Sequence, residues 1–217
     1  ARTRWYAFRP EPHVHTFASE RELLEAYARF SIDTDADIVT HYNGNAFDYP
    51  YLIERARVLG VVLPDYGYAY QLARARGVES EVTKRTFGSR AFGERTVTSV
   101  KLPGQDGVDM LDVMLREKRL ASYKLGHASM TLLGETKDDV PHTVIPELYE
   151  HARERLNAYC LKDAELTLRM MMLENVVSFS CDMARLVSAL PLSALYVRGQ
   201  QARGVSLMLR KMRDVAP

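Results

Sequence analysis

The sequence predicts an α/β layer followed by a mostly helical C-terminal part. Two observations carry this expectation. Short β-branched or alternating runs bounded by Gly, Asn, Asp and Pro recur through the first half of the chain, each leading into a helical period. From about residue 146 onward the apolar residues recur almost without interruption at helical spacing. The chain has 217 residues, of which 47% are hydrophobic and 26% charged, ordinary values for a globular protein of one large domain or one and a half.

Taken in order, Val14 to Phe17 is a short strand. Ser19-Glu20-Arg21-Glu22 forms a capping box, and Leu23, Leu24, Tyr27 and Phe30 follow at helical spacing. Asp33 to Asp37 is an acidic turn. It resembles the start of a calcium loop but lacks the Gly and Glu such a loop requires, since Ile38 and Gly44 stand there. Ile38 to Tyr42 reads as a buried strand and Asn43 to Phe47 as a loop. A helix opens near Asp48, with Pro50 in its first turn, Leu52, Ala56 and Leu59 on one face and Gly60 at its end. Residues 64–90 are expected to be irregular. Thr96 to Lys101 and Val108 to Leu111, joined by Pro103-Gly104-Gln105-Asp106-Gly107, read as a hairpin that runs into a helix through Arg116. Helices are expected over Ser122–Leu133, about Pro146–Met172 and Glu174–Ser188, and from Ser193 to the end.

No apolar run approaches the roughly 20 residues that span a bilayer, and the first residues carry no signal-peptide pattern. The first residue is Ala1, not Met, which points to a fragment or a processed product. Cys160 and Cys181 have no metal-type spacing and are expected as reduced, buried thiols. Net charge is only +1, but basic residues are unevenly placed. Arg74, Arg76, Lys84, Arg85, Arg90, Arg95 and Lys101 fall within one stretch, and Arg198, Arg203, Arg210, Lys211 and Arg213 within another. Either stretch could meet phosphates, or be solvated surface.

Two constellations could carry chemistry. Asp48 stands at a strand–loop–helix junction, where the ends of α/β sheets place ligands. The plain alternative is a helix cap. Tyr159 and Asp163 lie four residues apart on one helix face, or form the edge of an ordinary amphipathic helix. Phosphodiester hydrolysis would use such carboxylates. Two divalent cations stabilise the attacking and leaving oxygens, and hard cations take oxygen ligands without His or Cys. The six histidines, at 13, 15, 41, 127, 142 and 151, show no ligand spacing and are expected on the surface or in packing roles.

These residues resemble a known family. Asn43-x-x-x-Phe47-Asp48 with Tyr49-Pro50-Tyr51-Leu52 is similar to the second exonuclease motif of family B DNA polymerases, and Tyr159-x-x-x-Asp163 to the third. Ser122-Tyr123-Lys124-Leu125 and Leu132 to Val140 resemble the segment between them. Pro191-Leu192-Ser193 and Arg198-Gly199-Gln200-Gln201 resemble the approach to the polymerase palm. The likeness is to the delta-type catalytic subunit and its large-DNA-virus relatives, with blocks in the right order from about residue 14 to 212.

The resemblance implies a ribonuclease H-like exonuclease fold, incomplete at its N-terminal side, over residues 1–175. A helical connection and the start of the polymerase domain would occupy 176–217. It implies metal-binding carboxylates at Asp48 and Asp163, holding Mg²⁺ or Mn²⁺. Tyr159 would position the water, and Lys137 would lie near the scissile phosphate. Asn43, Phe47, Arg90, Arg95 and Arg198 would contact DNA. Phe47 and Tyr51 could stack near the terminal base, although core packing is the simpler expectation. The region Thr96–Met110 corresponds to an element that helps separate primer from template. Partners would be primer–template DNA, a single-stranded 3′ end, deoxynucleotides through polymerase motifs outside these residues, and accessory replication subunits, with no membrane. The location would be the nucleus for a eukaryotic delta-type enzyme, and otherwise the intracellular site of viral replication.

Departures matter too. No Asp-x-Glu precedes Asp48, and the paired-aspartate polymerase turn does not occur in these residues. His41 stands where the family usually has Gly, and Ala46 where delta-type enzymes have Asn. The expected activity is a replicative DNA-directed DNA polymerase with 3′→5′ proofreading, these residues alone being inactive. The alternatives are a stand-alone DEDD-type exonuclease and a degenerate exonuclease-like domain kept for DNA binding.

Overall fold

Among the described residues all strands lie before Met110, interrupted by two helices, and only helices follow, as the switch in hydrophobic period requires. The computed structural model describes residues 3–6, 14–63, 68–69, 80–89, 93–137, 140–141, 143–187 and 200–215, and the architecture is mixed α/β and rich in helix. Two units divide it: residues 1–39 with 43–107, and residues 40–42 with 108–217.

In the first unit, β1 (Thr3–Tyr6) pairs antiparallel with β2 (Val14–Phe17). Helix α1 (Glu20–Asp33) opens on the predicted box: Ser19 Oγ accepts from the Glu22 N–H at 3.2 Å. The Glu22 carboxylate reaches back one residue further than expected, to the Ala18 N–H at 3.1 Å. Helix α2 (Asp48–Val58) buries Tyr49, Ile53 and Ala56. Its inward face is therefore shifted from the expected one, because Leu59 is already the C-cap. Gly60 follows in the left-handed region at φ 59°, where a side chain is strained. Ala28, Ile32, Tyr49, Ile53 and Leu102 form one buried cluster, and Leu24, Ala56 and Val61 another.

The strand pairing differs from the expectation. Residues 64–90 are not irregular throughout: β4 (Val62–Leu63) pairs with β5 (Tyr68–Ala69), and β6 (Glu81–Ser89) is a full strand. The hairpin is β6 with β7 (Gly93–Lys101), in register from Glu81↔Lys101 to Ser89↔Gly93. Strand β8 (Asp106–Asp109) pairs instead with β3 (Ile38–His41). The Pro103–Gly107 turn is real, with Gln105 N–H donating to Leu102 O at 3.0 Å. A tight turn, however, does not dictate that the strands on its two sides pair with each other. Val82, Thr83 and Thr86 carried the missed strand signal. Strand β3 is half-buried rather than buried.

In the second unit, α3 (Met110–Glu117) is capped by Asp109, whose carboxylate accepts from the Leu111 N–H at 3.1 Å. Helix α4 (Leu125–Leu133) starts later than expected, because Ser122 Oγ accepts from the Lys124 N–H at 3.3 Å and holds 122–124 in a turn. The expected single helix from Pro146 is two: α5 (Ile145–His151) and α6 (Arg153–Leu173), broken at Ala152, with φ −145° and ψ 52°. Asn175, left-handed at φ 52°, separates α6 from α7 (Val176–Val187). Helix α8 (Gln200–Val215) closes the described chain and packs on α7, with the buried Ser206 hydroxyl donating to Val187 O at 2.9 Å. The expected helical start at Ser193 lies outside the described residues. Val108, Met110, Met114, Ala128, Leu166 and Met170 are fully or almost fully buried. The cysteines are free but not buried: Cys160 is exposed and Cys181 half-buried.

Candidate active site

Helix α6 carries the second constellation. Leu166, Thr167 and Met170 form its buried stripe, packed with α4, α5 and α3. That packing fixes the rotation of the helix. The restart at Ala152 sets its beginning, with the Arg153 Nε donating to Tyr149 O at 2.6 Å and its guanidinium 4.8 Å from the Tyr149 ring centre. One turn apart on α6, Tyr159 and Asp163 are partly buried.

Lys137 meets them from the loop after α4. Its ammonium donates to the Tyr159 hydroxyl at 3.0 Å and lies 5.3 Å from the ring centre and 4.0 Å from Asp163 Oδ2. The loop leaves α4 through Gly134, left-handed at φ 70°. It then runs so close to Gly126 that an added Cβ there would stand 3.3 Å from both Lys137 Cγ and Thr136 Oγ1. A larger residue at 126 would push against the lysine stem.

Between Gly134 and Lys137 stands Glu135, a residue that spacing arguments did not single out. Its carboxylate takes Arg169 Nη2 at 2.7 Å, Arg169 Nη1 at 3.1 Å and Lys162 Nζ at 2.7 Å. Hydrogen bonds from Arg169 first, then from Lys162, hold the Glu135 carboxyl down at about 2. Lys162 and Arg169 are seven residues apart on one helix, a spacing that offers both cations to a single acid. That was the signal available. The Cys160 thiol is pushed up by partial desolvation and then by the Asp163 charge.

The first constellation stands in the other unit. Asn43 is left-handed at φ 63° and exposed, and its carbonyl accepts from Ala46 and Phe47 at 3.2 and 3.1 Å. Asp48 is exposed and is the first residue of α2; the cap position belongs to Phe47. The simple cap reading of Asp48 is therefore corrected, although its charge at a helix N-terminus is favourable. Phe47 is 72% and Tyr51 60% exposed, so neither is a core residue. Their positions beside Tyr49, whose face is buried, turn them outward. The Tyr27 phenol is raised by burial first and by the Asp48 charge second.

Tyr42, which leads into Asn43, donates to Tyr123 O at 2.6 Å and is pushed up to about 12 by burial and then by Asp109. His41, the departure noted in the sequence, places Nδ1 3.4 Å from Asp109 Oδ2 with 11% of its side chain exposed, a packing histidine. Of the basic residues expected at DNA, Arg90 and Arg198 lie outside the described residues. Arg95 lies on β7, opposite Phe87. Lys84 and Lys101 are exposed on the hairpin and share a groove with Arg57, Glu54 and Glu81. Among the described residues no three His, Cys, Asp or Glu side chains gather as a metal site. No described helix is long and apolar enough to cross a membrane.

Comparison with known proteins adds to this geometry. Residues 5–127 match the family model described as DNA polymerase family B, exonuclease domain. The chain is 40% identical over 201 residues to the DNA polymerase delta catalytic subunit of Mesocricetus auratus, and 41% over 201 residues to that of Bos taurus. Each match covers 91% of this chain and 18% of the relative. The corresponding subunit of Oryza sativa subsp. japonica is 39% identical over 205 residues, covering 93% of this chain and 18% of the relative. The chain thus spans under a fifth of the length of these curated relatives.

Proposed function

This chain belongs to the family B DNA polymerases, within their exonuclease domain, and from that membership we propose that it supplies 3′→5′ proofreading to a replicative DNA-directed DNA polymerase. The grouping of Lys137, Tyr159 and Asp163 carries the reading. An ammonium, a phenol and a carboxylate within hydrogen-bond or ion-pair reach suit a phosphodiester substrate. The ammonium neutralises phosphate charge. It also occupies one acceptor position of the phenol, which keeps its own O–H to hold a water. The water attacks phosphorus and gives up a proton, the P–O bond to the 3′ oxygen of the preceding nucleotide breaks, that oxygen takes up a proton as the shortened strand's 3′ hydroxyl, and a nucleoside monophosphate is released.

Asp48 and Asp163 each offer carboxylate oxygens, the donor type that a hard divalent cation such as Mg²⁺ or Mn²⁺ takes. Such cations, when bound, would stabilise the developing charge on the attacking and leaving oxygens. The family's Asp-x-Glu pair is not among these residues, so the carboxylate set within them is incomplete. Asn43 and Phe47, with Arg90, Arg95 and Arg198, are the proposed DNA contacts. The exposure of Phe47 and Tyr51 supports stacking against a base over core packing. The fold proposed is ribonuclease H-like over residues 1–175, with 176–217 leading into the polymerase domain. Deoxynucleotides and accessory subunits would be partners of the whole enzyme.

The test uses the full-length protein and a primer with a mismatched 3′ end. Asp163→Asn should lower excision by about 100-fold or more while primer extension continues, and Tyr159→Phe should lower it less. Excision by Asp163→Asn at the normal rate would refute the assignment.

A further inference from the structure

We propose that Glu135 is a positioning residue for this exonuclease site, clamping the loop that delivers Lys137 to Tyr159 and Asp163; the inference rests on the reading of that trio as the hydrolytic site. Lys137 arrives on a loop, not on a helix, so its placement needs an explanation. A lysine has a flexible four-carbon stem, and ordering it costs side-chain entropy. Something must restrict the backbone that carries it.

Two contacts do so. On one side the loop lies against Gly126, where the absence of a Cβ admits Lys137 Cγ and Thr136 Oγ1. On the other, the Glu135 carboxylate is gripped by two cations of α6. Arg169 binds it with both terminal nitrogens, at 2.7 and 3.1 Å, and Lys162 adds a third bond at 2.7 Å. Paired bonds between a planar guanidinium and a carboxylate fix orientation as well as distance. Glu165 Oε1 sits 3.5 Å from Arg169 Nη1 on the same helix and adds a second acid to the guanidinium.

The register makes the clamp specific. Lys162 precedes Asp163 directly, and Tyr159 is one turn earlier. Glu135 therefore grips the same helix that carries the phenol and the carboxylate, two residues before the lysine that must reach them. The loop and its target move as one body. Stability is a poor rationale for the contact, since the Glu135 and Arg169 side chains are 41% and 38% exposed and ion pairs at such sites contribute little. Geometry is the better one: a displacement of about 1 Å at a catalytic group can cost on the order of 100-fold in rate.

The experiment uses the full-length protein and single-turnover excision of a 3′-mismatched primer. It compares wild type, Glu135→Gln, Lys137→Ala, the Glu135→Gln/Lys137→Ala double variant and Arg169→Gln, with primer extension as the control for folding. Glu135→Gln and Arg169→Gln should each lower the excision rate constant by about 10-fold, with DNA affinity little changed. The double variant should be no slower than Lys137→Ala alone, because Glu135 acts through the lysine. A second readout does not depend on hydrolysis: acetylation of Lys137 by a lysine-reactive reagent, followed by mass spectrometry, should speed up in Glu135→Gln. Equal losses from Glu135→Gln with and without Lys137, or unchanged labelling of Lys137, overturn the proposal. If Lys137→Ala and Asp163→Asn both excise normally, the failure belongs to the site reading, and the labelling result alone decides whether the clamp holds the lysine.

Discussion

Single side chains fix the local geometry of the candidate residues. Tyr42 fixes the start of the Asn43–Phe47 loop by donating its phenol hydrogen to the Tyr123 carbonyl. Burial and the Asp109 charge favour the neutral phenol, so the folded group titrates near 12 against an ordinary 10. The contribution of Tyr42 to stability is therefore complete below pH 10 and is lost as pH rises through 12. At neutral pH, Tyr42→Phe should cost about 1 kcal/mol through the lost hydrogen bond. That gap should shrink as pH climbs from 10 to 12, as read by urea unfolding of the two proteins. The individual motif residues stand out in the sequence because their types and spacing match a known pattern, and their proposed roles come from that pattern. The closeness of Lys137 to Tyr159 was not readable from spacing, since 22 residues and a turn separate them. Only the resemblance pointed there. Glu135 was missed because an acid in a loop looks like solvated surface until its two cations are seen on one helix face.

At the scale of elements, α6 joins the core to the proposed site. Leu166 and Met170 are fully buried on one side, while Tyr159 and Asp163 stand partly open on the same helix. Leu166→Ala should destabilise the fold by about 2–5 kcal/mol, measured by denaturant unfolding, because a cavity opens in the fully buried stripe of α6. Most helices were legible from their 3.6-residue period, and the α1 start from its capping box. The breaks were less so. Ala152 interrupts a continuous apolar pattern through backbone conformation alone, with neither Gly nor Pro to announce it. Strand pairing was the other gap: β7 and β8 flank a strong turn yet find different partners. Alternation identifies a strand but not its neighbour, which depends on contacts distant in sequence.

For the molecule as a whole, activity should demand more than these 217 residues. Two-cation hydrolysis requires several carboxylates, and no Asp-x-Glu precedes Asp48. Incubated with single-stranded DNA and Mg²⁺, the purified chain should release little or no nucleotide; efficient degradation that disappears in Asp163→Ala would contradict this. The β6–β7 ribbon has a further consequence. Among the described residues β6 and β7 pair with each other and with no third strand, and the outer rim of a two-stranded ribbon carries backbone donors and acceptors. Such rims invite edge-to-edge association between molecules and, at high concentration, fibrous aggregates. Lysine on a strand rim opposes this, because a foreign strand would have to bury its charge. Lys84 and Lys101 are the exposed lysines of this ribbon, the residue type whose charge a foreign strand would have to bury.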